Sequence, residues 1–184
     1  MTGTRRAIIA ATLALTACLS MTGVANASAA SLTADGQASL NKLLGQSEKA
    51  RLFNKNMVAV LVFPKIVKAG FIVGGQTGDG VLLRNGRAIG FYNLTAGSYG
   101  LQAGGQVFSY ALFFMNEKSL NYLKKSDGWS VGTGPSIVVI DKGKAMSNDT
   151  TTMTQDVYAF PYAAAGLMAG LGIQGSKITH IHPN

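Results

Sequence analysis

The stretch that decides the fold is Met57–Gly80, MVAVLVFPKIVKAGFIVGGQTGDG. It begins with an uncharged, largely β-branched run, breaks at Pro64, carries Lys65 and Lys68, and passes through a second apolar run into a glycine-rich segment. A short continuous apolar run of this kind is typical of a strand that is buried on both faces. The two lysines therefore lie between segments that must be buried, and we expect them to project from one edge of a sheet.

The residues that follow this stretch also indicate β-structure. Asn85-Gly86 is a strong signal for a two-residue hairpin turn leading into Arg87–Leu94. No charged residue occurs from Ala88 to Asn116, and repeated glycines interrupt any helical period there, so bulged strands fit better than a helix. Further strands are expected at Trp129–Asp141 (with Ile137–Ile140 buried), Val157–Phe160, Gly166–Gln174 and Lys177–His182.

A helical region is predicted before the β-rich part of the chain. It should begin at a cap on Thr33 or Ser39 and run to about Asn54, with Gly45 dividing it into two short helices. Leucines recur at helical spacing in this region, which predicts that they face the core. These leucines are Leu40, Leu43, Leu44 and Leu52.

A further helix should begin at Asn116 and end at Gly128, with Leu120 and Leu123 facing inward. These elements together predict an α+β fold. Its N-terminal helical segment packs on a mainly antiparallel, barrel-like β-sheet whose strands follow in meander order, with one further helix. The length of 184 residues and the hydrophobic content of 47% suit one domain with a substantial core.

The N-terminus has the layout of an export signal. Arg5 and Arg6 precede the uncharged run Ala7–Ala17, which is too short to span a bilayer, because a span needs roughly 20 apolar residues. Leu15-Thr16-Ala17-Cys18 resembles a lipobox, so that cleavage would leave a lipidated Cys18 as the first residue. Ala25-Asn26-Ala27 is an alternative A-x-A cleavage site.

Lipidation is favoured because the apolar run then has a normal length, and because the single cysteine of the chain cannot form an internal disulfide. The expected organisation is a signal peptide over residues 1–17, a flexible tether over residues 18–33, and one domain over residues 34–184. The protein is expected in the cell envelope, as a membrane-anchored lipoprotein facing the periplasm. A soluble periplasmic or secreted protein is the alternative.

The chain is basic, with 16 Lys and Arg against 8 Asp and Glu and a formal charge of +8. Removal of residues 1–17 takes away two arginines and leaves +6. Basic residues near an anionic membrane are worth about 1 kcal/mol each, although a basic helix face is often simply solvated. The candidate lipid-headgroup residues are Lys42, Lys49, Arg51, Lys55, Lys65 and Lys68.

Motifs for other chemistry fail on physical grounds. Gly170, Gly172 and Gly175 have the spacing of a dinucleotide-binding turn, but only nine residues follow, too few for the helix and acidic residue that such a site needs. The only histidines are His180 and His182, which leaves no base beside a nucleophile and no third metal ligand nearby. We therefore expect no enzyme activity, no metal and no cofactor. No recognition helix or aromatic-and-basic repeat indicates nucleic acid.

Three segments resemble the SYLF domain, a lipid-binding family of bacteria, yeast, plants and animals. They are Met57–Gly80, Gly97–Glu117 (GSYGLQAGGQVFSYALFFMNE) and Tyr158–Ile178, which ends in GLMAGLGIQGSKI. The resemblance implies a non-enzymatic module that binds phosphoinositides or other anionic lipids, partly through basic residues of its N-terminal region. Some eukaryotic members act in actin regulation, a role that an exported chain would not share.

Two functions are therefore consistent with the sequence. The first is a lipid-binding protein of the cell envelope that recognises anionic phospholipid or phosphoinositide headgroups. The alternative is a structural or interaction protein of the envelope that acts through a protein partner or as a homo-oligomer. A weaker third hypothesis places the uncharged residues 157–176 inside a membrane, although Pro161 and several glycines favour buried strands there.

Overall fold

The computed structural model describes residues 28–140, 154–163, 173 and 175–184, and for residues 70–73 and 98–104 it describes the backbone. The α+β prediction is confirmed, because two N-terminal helices pack on a strongly curled, mainly antiparallel sheet and a further helix follows. In chain order the described elements are α1 (Ala29–Gln46), α2 (Glu48–Asn56), β1 (Ala59–Arg84), β2 (Arg87–Phe114), α3 (Glu117–Lys125), β3 (Trp129–Ser130), β4 (Ile137–Val139), β5 (Val157–Tyr162) and β6 (Lys177–Ile181).

Strands β1 and β2 form one long antiparallel hairpin. The predicted turn is confirmed: Asn85 and Gly86 have φ of 50° and 74°, the left-handed backbone that a two-residue hairpin turn requires. The register shifts between Phe63 and Ile66, so that Pro64 and Lys65 form an irregularity in β1. Such bulges bend a strand and increase its twist, which helps the hairpin to curl.

The other strands assemble around β2. Strand β1 pairs with one edge of β2 along nearly its whole length, while β6 pairs with the opposite edge at Phe91–Thr95 and β5 at Ser109–Phe114. Strand β3 extends the sheet from β6, and β4 extends it from β5 in a parallel pair. The predicted meander order is therefore wrong. The 28 residues of β2 offer more edge than one short strand can pair, so two strands distant in sequence share it.

The curl brings the two ends of β1 together around an inner core. A Cβ atom added to Gly80 would lie 2.5 Å from the Phe63 ring, and one added to Gly78 would lie 2.5 Å from the Lys65 carbonyl oxygen. The lack of a side chain at Gly78 and Gly80 therefore permits this close approach. The inner core contains buried side chains from both ends of the sheet, including Leu61, Leu82, Leu94, Tyr110, Leu112, Trp129 and Ile178.

The outer face of the sheet is covered by α1 and α2. Alternate residues of β1 divide between the two cores: Leu61 and Phe63 lie in the inner one, and Val60 and Val62 in the outer one. All four side chains are fully buried, so the predicted burial of this run on both faces is confirmed. The buried glycine of α1, Gly36, lets the helix approach the sheet closely, because a Cβ there would meet the Val81 side chain.

The N-terminal helices differ from the prediction at their boundaries. Helix α1 is capped by Ser28, whose hydroxyl accepts a hydrogen bond from the Ser31 amide at 3.1 Å, so the helix begins before both predicted caps. Residues 29–33 of the expected tether are therefore helical. The break between the helices falls at Ser47, which caps α2 by accepting from the Ala50 amide at 3.2 Å. The predicted division is confirmed, but Ser47 makes it rather than Gly45.

The later elements follow the prediction more closely. Asn116 caps α3, and Leu120 and Leu123 face the inner core as expected. The helix ends at Lys125, before Gly128, and the expected strand Trp129–Asp141 is two short strands separated by turns. Ile137–Ile140 are half-buried rather than buried, because β4 lies at the edge of the sheet. The expected strand Gly166–Gln174 lies almost entirely outside the described residues.

Candidate functional site

Three of the six candidate basic residues lie together on the outer side of α2, where Arg51 and Lys55 are exposed and Lys49 is half-buried. Lys49, Arg51 and Lys55 line a cleft of about 440 Å³, together with Glu48 and Leu52. Four of these five residues follow the spacing i, i+3, i+4, i+7, which places them on one side of a helix. The cleft is therefore a property of a single helix surface, with three cations and one anion.

Aromatic packing holds α2 against the sheet. Phe53 is 3% exposed, and its ring centroid lies 4.2 Å from that of Tyr158 and 5.5 Å from that of Phe160, both on β5. Ala50 is fully buried on the same side of the helix. A nine-residue helix is marginal by itself in water, so this packing is what keeps the basic side of α2 in place.

Arg51 also joins the two N-terminal helices. Its Nη1 donates a hydrogen bond of 2.7 Å to the carbonyl oxygen of Leu44 in the last turn of α1. The last carbonyls of a helix have no partner within it, and a cation there also suits the helix dipole. A guanidinium has five N–H donors, so one bond to α1 leaves Arg51 able to act as a cation at the cleft.

The prediction that Leu52 faces the core is wrong. Its side chain is 40% exposed and lines the cleft between the cations. The break at Ser47 interrupts the helical phase, so the spacing that buries Leu40 and Leu43 on α1 does not continue into α2. The sequence signal that could have identified this surface is the spacing of Glu48, Arg51, Leu52 and Lys55, taken from the start of α2.

The other three candidate residues lie on other elements. Lys42 is exposed on α1, and Lys65 and Lys68 lie on β1 at and after its bulge. Lys65 is exposed, whereas Lys68 is half-buried and pairs with Gln106 across the hairpin. None of these three is among the residues that line the α2 cleft. Cys18, the expected lipidation site, lies outside the described residues.

The two histidines of the chain make ring contacts near the C-terminus. The exposed rings of His180 and His182 lie 4.6 Å apart, and His180 packs edge-on against Tyr92. Within the part of the chain that the structure describes, no three His, Cys, Asp or Glu side chains are grouped to hold a metal ion.

Asp156 ties α3 to the start of β5. Its carboxylate accepts hydrogen bonds from the Asn116 side chain at 2.8 Å and from the Ser136 amide at 3.0 Å. These bonds stabilise the charged form and hold the pKa of Asp156 below its ordinary value. A carboxylate held in this way is suited to fixing loops rather than to exchanging protons at neutral pH.

The described helices do not offer a route across a bilayer, since none combines sufficient length with sufficient apolar character. The strand β5, Val157–Tyr162, is fully buried and pairs with β2, as the buried-strand interpretation of the uncharged stretch predicts for those residues.

Comparison with known families gives a match, and comparison with curated proteins gives none. Residues 95–182 match the family model described as "Ysc84: Las17-binding protein actin regulator". The matched range contains two of the three segments that carry the resemblance, and Met57–Gly80 precedes it. The Ysc84 family, also called SYLF, is associated with lipid binding and actin regulation and is a family of binding domains rather than a known enzyme family. Over residues 95–182 this chain is therefore similar to the Ysc84 (SYLF) family, the family that its quoted segments resemble.

Proposed function

We propose that this protein is a non-enzymatic lipid-binding protein of the cell envelope, which docks on anionic membranes through the exposed side of α2. The observation that carries the proposal is the grouping of Lys49, Arg51 and Lys55 around one cleft. With Glu48 the cleft has a net charge of +2, which suits phosphate headgroups. Each cation held near an anionic surface contributes about 1 kcal/mol.

The exposure of Leu52 supports the same assignment. Helices that lie in a membrane interface place apolar side chains in the headgroup region and surround them with Lys and Arg. Leu52 stands between cations on the outer side of α2, where its apolar surface is otherwise in contact with water. In an interface this leucine would leave water while the neighbouring cations stay at the level of the phosphates.

The proposal places the domain beside a membrane by means of Cys18. If residues 1–17 are removed and Cys18 is lipidated, ten residues separate it from Ala29, the first residue of α1. Ten residues span at most about 35 Å when extended. A tether of that reach keeps the local concentration of headgroups high, so an electrostatic contact of a few kcal/mol is sufficient.

The ligand class is a lipid phosphate, and several sources share that chemistry. Phosphoinositides are one source, and cardiolipin, phosphatidylglycerol and lipopolysaccharide phosphates are others that an envelope membrane supplies. The lysines of the cleft are compact charges on flexible stems, which favours recognition of negative charge over recognition of one headgroup shape.

The test compares two matched double variants of the exported protein carrying Cys18→Ala, which cannot be lipidated. Lys49→Gln with Lys55→Gln neutralises the cleft, and Lys124→Gln with Lys125→Gln neutralises two exposed lysines at the end of α3. Arg51 is left intact because it also bonds α1. Co-sedimentation is measured with vesicles of phosphatidylcholine alone and mixed with phosphatidylglycerol, at low and high salt.

Loss of two cations should weaken binding to anionic vesicles by about 2 kcal/mol, roughly 30-fold, and the α3 variant should stay within about twofold of the parent. Binding should fall as salt rises, because exposed charges are screened. Equal losses in the two variants would show a diffuse charge effect instead of a site. Equal binding to neutral and anionic vesicles would overturn the electrostatic proposal.

The second candidate, an envelope protein that acts through protein contacts, draws support from the family description, which names a protein-binding activity. Cross-linking in cells before and after lipid extraction separates the two candidates. A stoichiometric protein partner retained after extraction would favour the second.

A further inference from the structure

The sheet face that α1 and α2 cover continues past the helices as an exposed apolar surface. Every second residue of a strand lies on the same face, so Phe113, Ala111, Ser109 and Val107 form one row along β2. Phe113 and Ala111 are fully buried in the helix-covered core, and Ser109 is buried with its hydroxyl donating to the Pro64 carbonyl at 2.7 Å. Val107 is 51% exposed. The part of this sheet face that α1 and α2 cover therefore ends between Ser109 and Val107.

The neighbouring strand adds apolar residues at the same level. Val67 of β1 is the cross-strand partner of Val107 and is 40% exposed. Two residues further on, Ala69 pairs with Gly105, and both are exposed. We call these four residues, Val67, Ala69, Gly105 and Val107, the bend patch. Isolated exposed apolar side chains are ordinary, whereas adjacent ones on a sheet face with a charged rim mark interaction sites.

One exposed cation accompanies the bend patch. Lys65 is exposed in the bulge just before Val67, whereas Lys68, between Val67 and Ala69 along β1, is half-buried and lies on the opposite face of the sheet. The sequence contains no acidic residue at 65–69 or 105–109. An apolar surface flanked by an exposed lysine is complementary to a bilayer with anionic headgroups. A symmetric contact with a second copy would instead bring lysines of like charge together.

We propose that the bend patch is a second membrane contact, separate from α2, with Val67 and Val107 entering the headgroup boundary while Lys65 meets lipid phosphates. This inference rests on the proposed function in one respect, that the partner is an anionic membrane. It uses different residues on a different element. Two separated contacts would fix the orientation of the domain on the membrane, which a single helix surface does not.

The first experiment places an environment-sensitive fluorophore on Val107→Cys in the exported Cys18→Ala protein, where the introduced thiol is the only one. The matched control is Ile89→Cys on the same strand, where the native isoleucine is 41% exposed. Mixed phosphatidylcholine and phosphatidylglycerol vesicles should shift the emission to the blue at position 107 and leave position 89 unchanged. An unchanged emission at position 107, in protein that co-sediments with vesicles, would overturn the inference. A blue shift without vesicles that grows with protein concentration would assign the patch to a second copy.

The second experiment measures vesicle affinity after Val67→Thr with Val107→Thr, which keeps the β-branched shape and removes apolar surface. Affinity for mixed vesicles should fall about tenfold, and Ile89→Thr should leave it within about twofold. Emission of the buried Trp129 confirms that each variant is folded. If the lysine variants of α2 bind normally and the threonine variant does not, the proposed role of α2 fails and the bend patch stands. If only the α2 variant loses affinity, the bend patch is refuted.

Discussion

Phe53→Ala should destabilise the protein and release the basic side of α2 at the same time. The Phe53 ring is 3% exposed and lies among Phe113, Tyr158 and Phe160, with centroid distances of 6.5, 4.2 and 5.5 Å. It is the only aromatic side chain of α2, so no other ring of this helix replaces it. Truncation leaves a cavity between the helix and β5.

The expected loss is about 3 kcal/mol in the free energy of unfolding. Phe→Ala substitutions in cores cost about 3–5 kcal/mol. The low end applies because α2 lies on the outer layer, where a short helix can move inward and fill part of the cavity. Phe53→Leu is the matched control, since it keeps most of the apolar volume and should cost about 1 kcal/mol.

Urea unfolding followed by Trp129 emission provides the measurement. Trp129 is the only tryptophan of the chain, and it is 1% exposed in the inner core on the other side of the sheet, so its emission reports global unfolding. The midpoint should move to lower urea with an unchanged slope. Vesicle binding should weaken as well, because a detached α2 no longer presents its cations on one side.

A loss of less than about 1 kcal/mol for Phe53→Ala would refute this reasoning. Hydrogen exchange of the α2 amides then shows whether the helix unfolds together with the sheet. Fast exchange of the α2 amides with an unchanged Trp129 midpoint would show that α2 opens independently of the sheet and is not part of one cooperative unit.

Two further predictions concern the sheet and its loops. Gly80→Ala should lower the free energy of unfolding by about 1–3 kcal/mol, because the new Cβ would lie 2.5 Å from the Phe63 ring. Its control, Gly45→Ala in α1, meets nothing within 4 Å and should raise the free energy of unfolding by about 0.5–1 kcal/mol. Thermal unfolding checks both, and a Gly80→Ala protein of unchanged stability would contradict the close approach within β1. Asp156→Asn should lower the midpoint of thermal unfolding at neutral pH, and the difference from the parent should shrink in acid. The bonds from Asn116 and Ser136 lower the pKa of the folded Asp156 carboxyl, so its contribution is complete above the unfolded pKa and is lost as pH falls through the folded one. A difference that stays constant across this range would show that the carboxylate charge is irrelevant.

Local signals predicted the parts of the fold that depend on neighbouring residues. The burial of Ala59–Phe63, the turn at Asn85-Gly86 and the cap at Asn116 each follow from a few adjacent side chains, and each is found where it was expected. The division of the N-terminal helical region was also foreseen. Its position at Ser47 was missed because a serine cap and a glycine break give similar sequence signals.

Pairing between distant strands could not be predicted in the same way. Strands β5 and β6 pair with the two ends of one edge of β2, and no local sequence pattern indicates that both pair with the same strand. The prediction that Leu52 faces the core was wrong for a related reason. Its place in the helical period was correct for one continuous helix, but the side of α2 that is buried depends on aromatic residues of β5 about a hundred positions later.

The sequence by itself determined the class of elements, the similarity of residues 95–182 to the Ysc84 (SYLF) family and the six basic residues worth testing. Periodicity, turn chemistry and motif similarity are properties of short stretches of chain. Tertiary structure alone decided that the side of α2 with Arg51, Leu52 and Lys55 stays exposed, and that Val67 and Val107 lie beyond the part of the sheet that the helices cover. The physical reason is that burial is a property of surfaces brought together by folding. The exposure of a side chain depends on which distant elements pack over it.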